Sequence, residues 1–144
     1  MPTNSRTKAI NRIIDANINR AKEGLRVCEE ITRFALNNRT LTSRFKNIRH
    51  KIDLVTKGLP SSFLDLMAAR GSDRDVGKEI YGRELKRKNI RDIFFANMQR
   101  IKESVRVLEE FTKLINTTSA IKFKRIRYEV YEIEKKVVRP FLNL

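Results

Sequence analysis

The feature that most constrains this chain is an internal repeat. Residues 16–34 read ANINRAKEGLRVCEEITRF, and residues 96–114 read ANMQRIKESVRVLEEFTKL. Ten of the nineteen positions are identical at an offset of 80. Each of these residues recurs eighty positions later: Ala16, Asn17, Arg20, Lys22, Glu23, Arg26, Val27, Glu29, Glu30 and Thr32. Such a match at one fixed spacing indicates two copies of one structural unit.

A shorter match extends each copy. Residues 45–50, FKNIRH, correspond at an offset of 78 to residues 123–128, FKRIRY. Apolar residues recur at intervals of three and four along the chain, which predicts helices, and no segment shows the alternation typical of strands. Capping and breaking residues set the helix ends. The predicted helices span about 3–36, 42–57, 62–70, 89–115 and 119–139, and Pro140 is expected to end the last one.

The predicted fold class is all-α. We expect a helical bundle of two repeated long-helix hairpins, related by a pseudo-twofold axis, because two such hairpins bury their apolar stripes best against each other. A chain of 144 residues is close to the commonest domain size, so we expect one helical domain over 1–144. The repeats cover about 10–57 and 90–136, and the first repeat alone carries an insertion at 58–89.

Composition and charge narrow the classes of partner. Lys and Arg number 32 against 17 Asp and Glu, which gives a net charge of +15. This surplus points to nucleic acid or a phosphorylated substrate, but it is spread over the chain instead of forming a basic arm, so nucleic acid is the weaker expectation. With no signal peptide, no membrane-spanning apolar run and a single cysteine, Cys28, we expect a cytoplasmic protein without membrane contact. A homodimer is left open.

Two repeated asparagines lie where a helix is normally apolar. At 100° per residue, Asn17 falls at the centre of an apolar stripe beside Gly24, and Asn97 takes the same place in the second copy. An unpaired buried amide costs about 1–3 kcal/mol, so both must have partners. The asparagines could fix helix register, with the flanking Arg and Glu forming surface ion pairs. Alternatively, they line a ligand site; the residues alone leave both readings open.

These residues also carry a resemblance. The chain resembles the small helical hydroxymethylpyrimidine phosphate kinase family of thiamine biosynthesis, usually the N-terminal domain fused to thiamine phosphate synthase. The resemblance spans roughly residues 10–136. Its motifs are the run from Asp15 to Val27 with Glu29 and Arg33, the Arg49-His50 pair, Arg70 followed by Asp75-Val76-Gly77, and the second copy from Asn97 to Glu110 with Arg127-Tyr128.

The resemblance implies ATP-dependent phosphorylation of hydroxymethylpyrimidine phosphate to the pyrophosphate, with Mg²⁺. Because the acceptor oxygen is already ionised, such a reaction needs positioning and charge neutralisation more than base catalysis. The implied catalytic residues are Arg20, Arg100 and Asp75. The implied substrate-binding residues are Asn17, Gly24, Asn97, Arg70, Arg26 and Arg106. The implied metal ligands are Glu23, Glu103 and Asp75, and the partners are ATP and the pyrimidine phosphate.

Two departures from the family pattern qualify the comparison. The family tends to have Asp directly after the arginine of the loop, where this chain has Gly71, so a contact is expected to be lost or moved to Asp73. No synthase barrel follows Phe141, so we expect a stand-alone version. Two other functions stay open, a basic helical nucleic-acid-binding protein and a non-catalytic interaction module for a thiamine biosynthesis enzyme.

The angular positions make a specific prediction about the site. Asn17, Arg20, Glu23 and Gly24 are expected to line one polar cavity between the long helices. The second copy is expected to contribute Asn97, Arg100 and Glu103, and the charged groups of both copies are expected to be buried. Arg26 and Glu29 are expected to point towards solvent. In the loop 71–78, Val76 is the only residue expected in the core.

Overall fold

A computed structural model describes residues 4–79 and 82–144 of the chain. Its α-helices are α1 (Ser5–Phe34), α2 (Arg39–Lys57), α3 (Phe63–Ala69), α4 (Ile90–Thr112) and α5 (Thr117–Leu142), with 3₁₀ turns at Ser72–Arg74 and Gly82–Leu85. No strand occurs in these ranges, so the predicted all-α class is confirmed. Within the same ranges, none of the helices is long and apolar enough to cross a bilayer.

Asparagine begins each of the four long helices. The N-cap side chains of Asn4, Asn38, Asn89 and Asn116 each accept a hydrogen bond from a backbone N–H of the first turn, at 2.6 to 3.0 Å. This bond satisfies a donor that the helix itself leaves unpaired, and its loss typically costs about 1 kcal/mol. Because Asn38 caps α2, the helix starts at Arg39, three residues before the predicted start.

The prediction that Pro140 ends the last helix is wrong. Helix α5 continues through Pro140 to Leu142. A proline near a helix end removes only one backbone hydrogen bond. The next residue, Phe141, is buried and packs edge-on against Phe94 with ring centroids 5.0 Å apart. Packing of Phe141 therefore favours continuation of the helix, which the local proline signal does not reveal.

The helices form two hairpins packed against each other. Helix α1 packs on α2 and α4, α5 packs on α4 and α2, and the short α3 lies against α1. The most extensive contact joins α1 and α4, so the helices that carry Asn17 and Asn97 are adjacent, as predicted. They run antiparallel, since Gly24 lies opposite Asn97 while Cys28 lies opposite Phe94. The pseudo-twofold axis stays a prediction.

Gly24 allows the close approach of α1 to α4. A Cβ atom at this position would lie 2.8 Å from Cγ1 of Ile101 and 3.2 Å from the carbonyl oxygen of Asn97. The first distance is shorter than real Cβ contacts, so a larger residue would force the Ile101 side chain or the helix backbones to shift. Large side chains fill the core on both sides of this contact, and Phe45, Phe94 and Phe123 are fully buried.

Candidate active site

Two adjoining cavities contain most of the predicted site residues, and the larger of the pair lies between α1 and the segment that follows α3. Its volume is about 680 Å³. Helix α1 forms one wall, and the opposite wall comes from the insertion that only the first repeat carries. The lining residues are Ala9, Arg12, Ile13, Asp15, Ala16, Asn17, Asn19, Arg20, Glu23, Arg70, Gly71, Ser72 and Asp75.

The smaller cavity lies between α1 and α4 and has a volume of about 420 Å³. The lining residues are Glu23, Gly24, Val27, Arg87, Ala96, Asn97, Gln99, Arg100 and Glu103. Glu23 lines both cavities, which places them next to each other along α1.

The two cavities divide the predicted site. Of the predicted residues, the larger cavity contains Asn17, Arg20, Glu23, Arg70 and Asp75. The smaller cavity contains Glu23 together with Gly24, Asn97, Arg100 and Glu103. The expected single cavity is therefore two adjoining ones, because the second repeat lines only the smaller cavity, whereas the insertion forms the far wall of the larger one.

The expectation that the charged groups are buried is wrong. Arg20, Glu23, Arg100 and Glu103 are all exposed, since they lie on the solvent edges of α1 and α4 beyond the line of contact. Burial of charge therefore gives no reason to infer a ligand at these positions. Asn17 is different, because only 4% of its surface is exposed, as its place in the apolar stripe predicted.

Both repeated asparagines are fixed by their own helices. Nδ2 of Asn17 donates to the carbonyl oxygen of Ile13 at 2.8 Å, and Nδ2 of Asn97 donates to that of Ile93 at the same distance. Arg20 Nη1 donates to Oδ1 of Asn17 at 3.5 Å. Each amide is thus oriented by its own helix before any ligand binds.

Arg70 is held in place by a carboxylate that the sequence analysis missed. Its Nε and Nη2 donate to the two oxygens of Asp15, both at 2.8 Å. The hydrogen bond and the charge of Asp15 raise the pKa of Arg70. The pair ties the end of α3 to α1 and fixes the guanidinium at the cavity wall. Asp15 is buried on α1 beside the apolar residues Ile14 and Ile18. A carboxylate among such residues needs a charged partner, and this was the signal in the sequence that could have identified it.

Arg12 is a second lining residue that the sequence analysis missed. Its guanidinium is 3.4 Å from the position that a Cβ atom of Gly71 would occupy. The exposed Arg12 therefore lies beside the loop at Gly71. In sequence, Arg12 looks like one more surface charge, and only the return of the loop to α1 reveals its neighbour.

Arg26 and Arg106 line neither cavity. Arg26 pairs with Glu29 and Glu30, and Arg106 pairs with Glu109 and Glu110. These two predicted substrate-binding residues therefore form ion pairs outside both cavities.

Glu29 and its counterpart Glu109 are buried, contrary to the expectation for Glu29. Arg49 donates to Glu29 at 3.0 Å, and Arg127 donates to Glu109 at 2.9 Å. Burial alone would raise the pKa of Glu109, but hydrogen bonds from Arg127 and Arg106 lower it below its ordinary value. The angular argument failed for Glu29 because its partner comes from α2, which covers that side of α1.

The carboxylates of the site do not form a preformed metal cage. Among the side chains that the structure describes, no three of His, Cys, Asp or Glu are grouped to hold a metal ion. Mg²⁺ commonly binds through one or two carboxylates, with phosphate oxygens and water completing its shell. Glu23 and Asp75 line the same cavity and fit this mode. The third predicted ligand, Glu103, lies in the other cavity and accepts a hydrogen bond from Gln99 at 3.0 Å.

The loop after α3 is fully open to solvent. Val76 is 97% exposed, so the expectation that it belongs to the core is wrong. Asp75 accepts a hydrogen bond from the backbone N–H of Gly77 at 2.8 Å, which turns the chain locally without burying Val76.

Comparison with known proteins agrees with these motifs. The model of the ThiD2 family matches residues 12–136, a range that contains both repeats and the insertion. The chain belongs to the ThiD2 family. This membership confirms the resemblance to a family of thiamine biosynthesis.

Several curated proteins are similar to this ThiD2 chain. A thiamine-phosphate synthase of a Synechocystis species is 42% identical over 127 residues, which are 88% of this chain and 35% of that protein. The thiamine-phosphate synthase of Nostoc punctiforme is 39% identical over 91% of this chain and 36% of its own length. That of Rhodopirellula baltica is 36% identical over 94% and 37%. The chain thus spans about a third of these relatives, and no solved structure matches it significantly.

Proposed function

We propose that this ThiD2 chain phosphorylates hydroxymethylpyrimidine phosphate to the pyrophosphate with ATP as donor. The observation that carries the proposal is the lining of the larger cavity. Its walls contain three arginines, Arg12, Arg20 and Arg70, and the carboxylates Glu23 and Asp75. Guanidinium groups bind phosphates through paired hydrogen bonds, and carboxylates bind Mg²⁺. Membership of the ThiD2 family supports the same reaction.

The chemistry asks little of the protein beyond positioning. An oxygen of the acceptor phosphate attacks the γ-phosphorus of ATP, and the bond from that phosphorus to the bridging oxygen breaks. The electron pair of that bond leaves with ADP, and the acceptor becomes a diphosphate. Because the attacking oxygen carries no proton at neutral pH, no general base is required. This agrees with a site that has arginines and carboxylates but no histidine on its walls.

The residues of the chain supply positioning and charge. Arg20 lines the larger cavity and Arg100 lines the smaller one. Both would contact the phosphates whose charge changes during transfer. Arg70 needs no reorganisation to bind phosphate, because Asp15 already fixes it. Glu23 and Asp75 would hold Mg²⁺, which neutralises phosphate charge when bound. Asn17 orients Arg20 through its amide oxygen.

Turnover of the purified chain tests the proposal. Hydroxymethylpyrimidine phosphate, ATP and Mg²⁺ are mixed with the chain, ADP is measured by a coupled assay, and the diphosphate is identified by ³¹P NMR. We expect ADP and diphosphate in equal amounts, and no ADP without the pyrimidine. Arg106→Met is the matched control, because this arginine lies outside both cavities, and it should keep full activity. Absence of the diphosphate from a folded chain would refute the proposed function.

A further inference from the structure

We propose that the two cavities are two separate substrate sites. The larger cavity binds the nucleoside triphosphate, the smaller cavity binds the pyrimidine phosphate, and the phosphoryl group crosses between them at Glu23. This inference rests on the proposed function and adds to it the assignment of each substrate to one site.

Size favours this assignment. The larger cavity has about 680 Å³ and the smaller about 420 Å³. Ligand pockets in proteins range from about 300 to 1,000 Å³ and bury most of a ligand's surface. ATP contains about twice as many non-hydrogen atoms as the pyrimidine phosphate, so the larger cavity suits ATP and the smaller suits the pyrimidine.

Both cavities offer arginines for phosphate groups. Arg12, Arg20 and Arg70 line the larger cavity, and Arg87 and Arg100 line the smaller one. Carboxylates match the arginines in number on each wall, so charge does not distinguish the cavities, and their size and lining carry the assignment.

The walls of the smaller cavity suit a small amino-substituted ring. Gly24, Val27 and Ala96 provide a narrow apolar surface. One N–H of the Asn97 amide donates to the carbonyl oxygen of Ile93, and the amide oxygen and the second N–H would serve a ligand as acceptor and donor. An exocyclic amine is the donor that such an oxygen binds. The corresponding oxygen of Asn17 already accepts from Arg20.

The short distance along α1 allows transfer between the sites. Arg20 lines one cavity, Gly24 lines the other, and Glu23 lines both. Four residues of a helix span about 6 Å, so one turn of α1 separates the two ligands. The γ-phosphoryl group of ATP and the acceptor phosphate would meet at this turn. The bonds that form and break are those described for the proposed function.

Substrate-specific kinetics of one variant in each cavity tests the assignment. Arg12→Met removes one guanidinium from the larger cavity, and we expect about a tenfold higher KM for ATP with an unchanged KM for the pyrimidine phosphate. Asn97→Leu removes the acceptor of the smaller cavity, and we expect the opposite pattern. Calorimetric binding of the ATP analogue AMP-PNP with Mg²⁺ should weaken in Arg12→Met and stay unchanged in Asn97→Leu.

The results separate this inference from the proposed function. If Asn97→Leu raises KM for ATP, or if each variant raises both constants, the substrates do not occupy separate cavities and the inference is wrong while the kinase activity stands. If the unaltered chain turns over no pyrimidine phosphate, the proposed function itself fails. Circular dichroism of each variant checks that the helices are retained, so a loss of affinity reports on the site.

Discussion

The two repeats share one set of contacts and differ in another. In both, a glutamate of the first long helix is buried and receives an arginine of the second, Glu29 from Arg49 and Glu109 from Arg127. In both, an exposed arginine three residues earlier joins the same carboxylate. These paired contacts join each helix of a hairpin to its neighbour, so the duplicated ion pairs are best explained as scaffold.

The differences between the repeats lie at the cavities. Only the first repeat has the insertion, which brings Arg70 and Asp75 to α1. Gly24 of the first repeat corresponds to Ser104 of the second, whose hydroxyl donates to the carbonyl oxygen of Ile101. Repetition alone therefore does not distinguish scaffold from cavity wall: Glu29 and Glu109 are repeated and form buried ion pairs, whereas Arg20 and Arg100 are repeated and line cavities, of which only the larger is completed by the insertion.

The largest effect is expected from breaking the scaffold pair of the second repeat. Glu109→Ala leaves the half-buried Arg127 without its carboxylate, and removal of one partner of a buried pair costs about 3 kcal/mol. The melting temperature should fall by roughly 10 °C. Glu110→Ala is the control, because this neighbouring carboxylate is exposed and its loss should shift the melting temperature little. Equal shifts for the two variants would show that the buried pair is not special.

The next effect concerns the fixed arginine of the larger cavity. Asp15→Asn keeps the shape of the side chain but removes the charge that holds Arg70, so Arg70 becomes more mobile. We expect kcat/KM to fall by about tenfold, or about 1.4 kcal/mol. Asp53→Asn is the control, because this aspartate pairs with Lys22 outside both cavities. Unchanged kinetics for Asp15→Asn would mean that Arg70 does not bind substrate.

A smaller effect distinguishes the two repeats at equivalent positions. Gly24→Ala places a methyl group 2.8 Å from Ile101, and the overpacking exceeds the gain in helix propensity by about 1 kcal/mol. Ser104→Ala removes only a hydroxyl that bonds its own helix, so it should be close to neutral. Urea unfolding of both variants measures the difference. Stabilisation by Gly24→Ala would contradict the close contact of α1 with α4.

The smallest effect is a pH dependence of stability. The pKa of Glu109 is lowered in the folded chain from an ordinary value of 4.5. Its stabilising contribution is therefore complete above pH 4.5 and is lost as the pH falls through the lower, folded-state pKa. Urea unfolding should show a steeper loss of stability below pH 4.5 in the unaltered chain than in Glu109→Gln. Parallel curves for the two proteins would show that Glu109 does not contribute to the loss of stability at low pH.

Much of the fold could be predicted because it depends on local patterns. Helical spacing located the helices, and the repeat indicated that α1 and α4 pair. The continuation of α5 past Pro140 could not be predicted, because Phe141 is held by a ring from another helix.

The site was predictable only in part, for a related reason. The residues on the walls of α1 and α4 follow from the angle of each residue around its own helix. Contacts between distant segments cannot be predicted from these angles. Examples are the pair of Asp15 and Arg70, which are 55 positions apart, and the pair of Glu29 and Arg49. The insertion carries Arg70 to α1, and no periodic pattern of the sequence encodes that return.

Parallel measurement of activity and melting temperature in Arg20→Met and Arg106→Met tests the central claim most directly. Both arginines are exposed and belong to the repeated motif, but only Arg20 lines a cavity. The account predicts that Arg20→Met lowers pyrimidine phosphate kinase activity by about a hundredfold or more, with an unchanged melting temperature. Arg106→Met should keep its activity. If Arg20→Met instead raises the melting temperature and leaves the activity intact, the repeated polar residues are structural and the proposed active site is wrong.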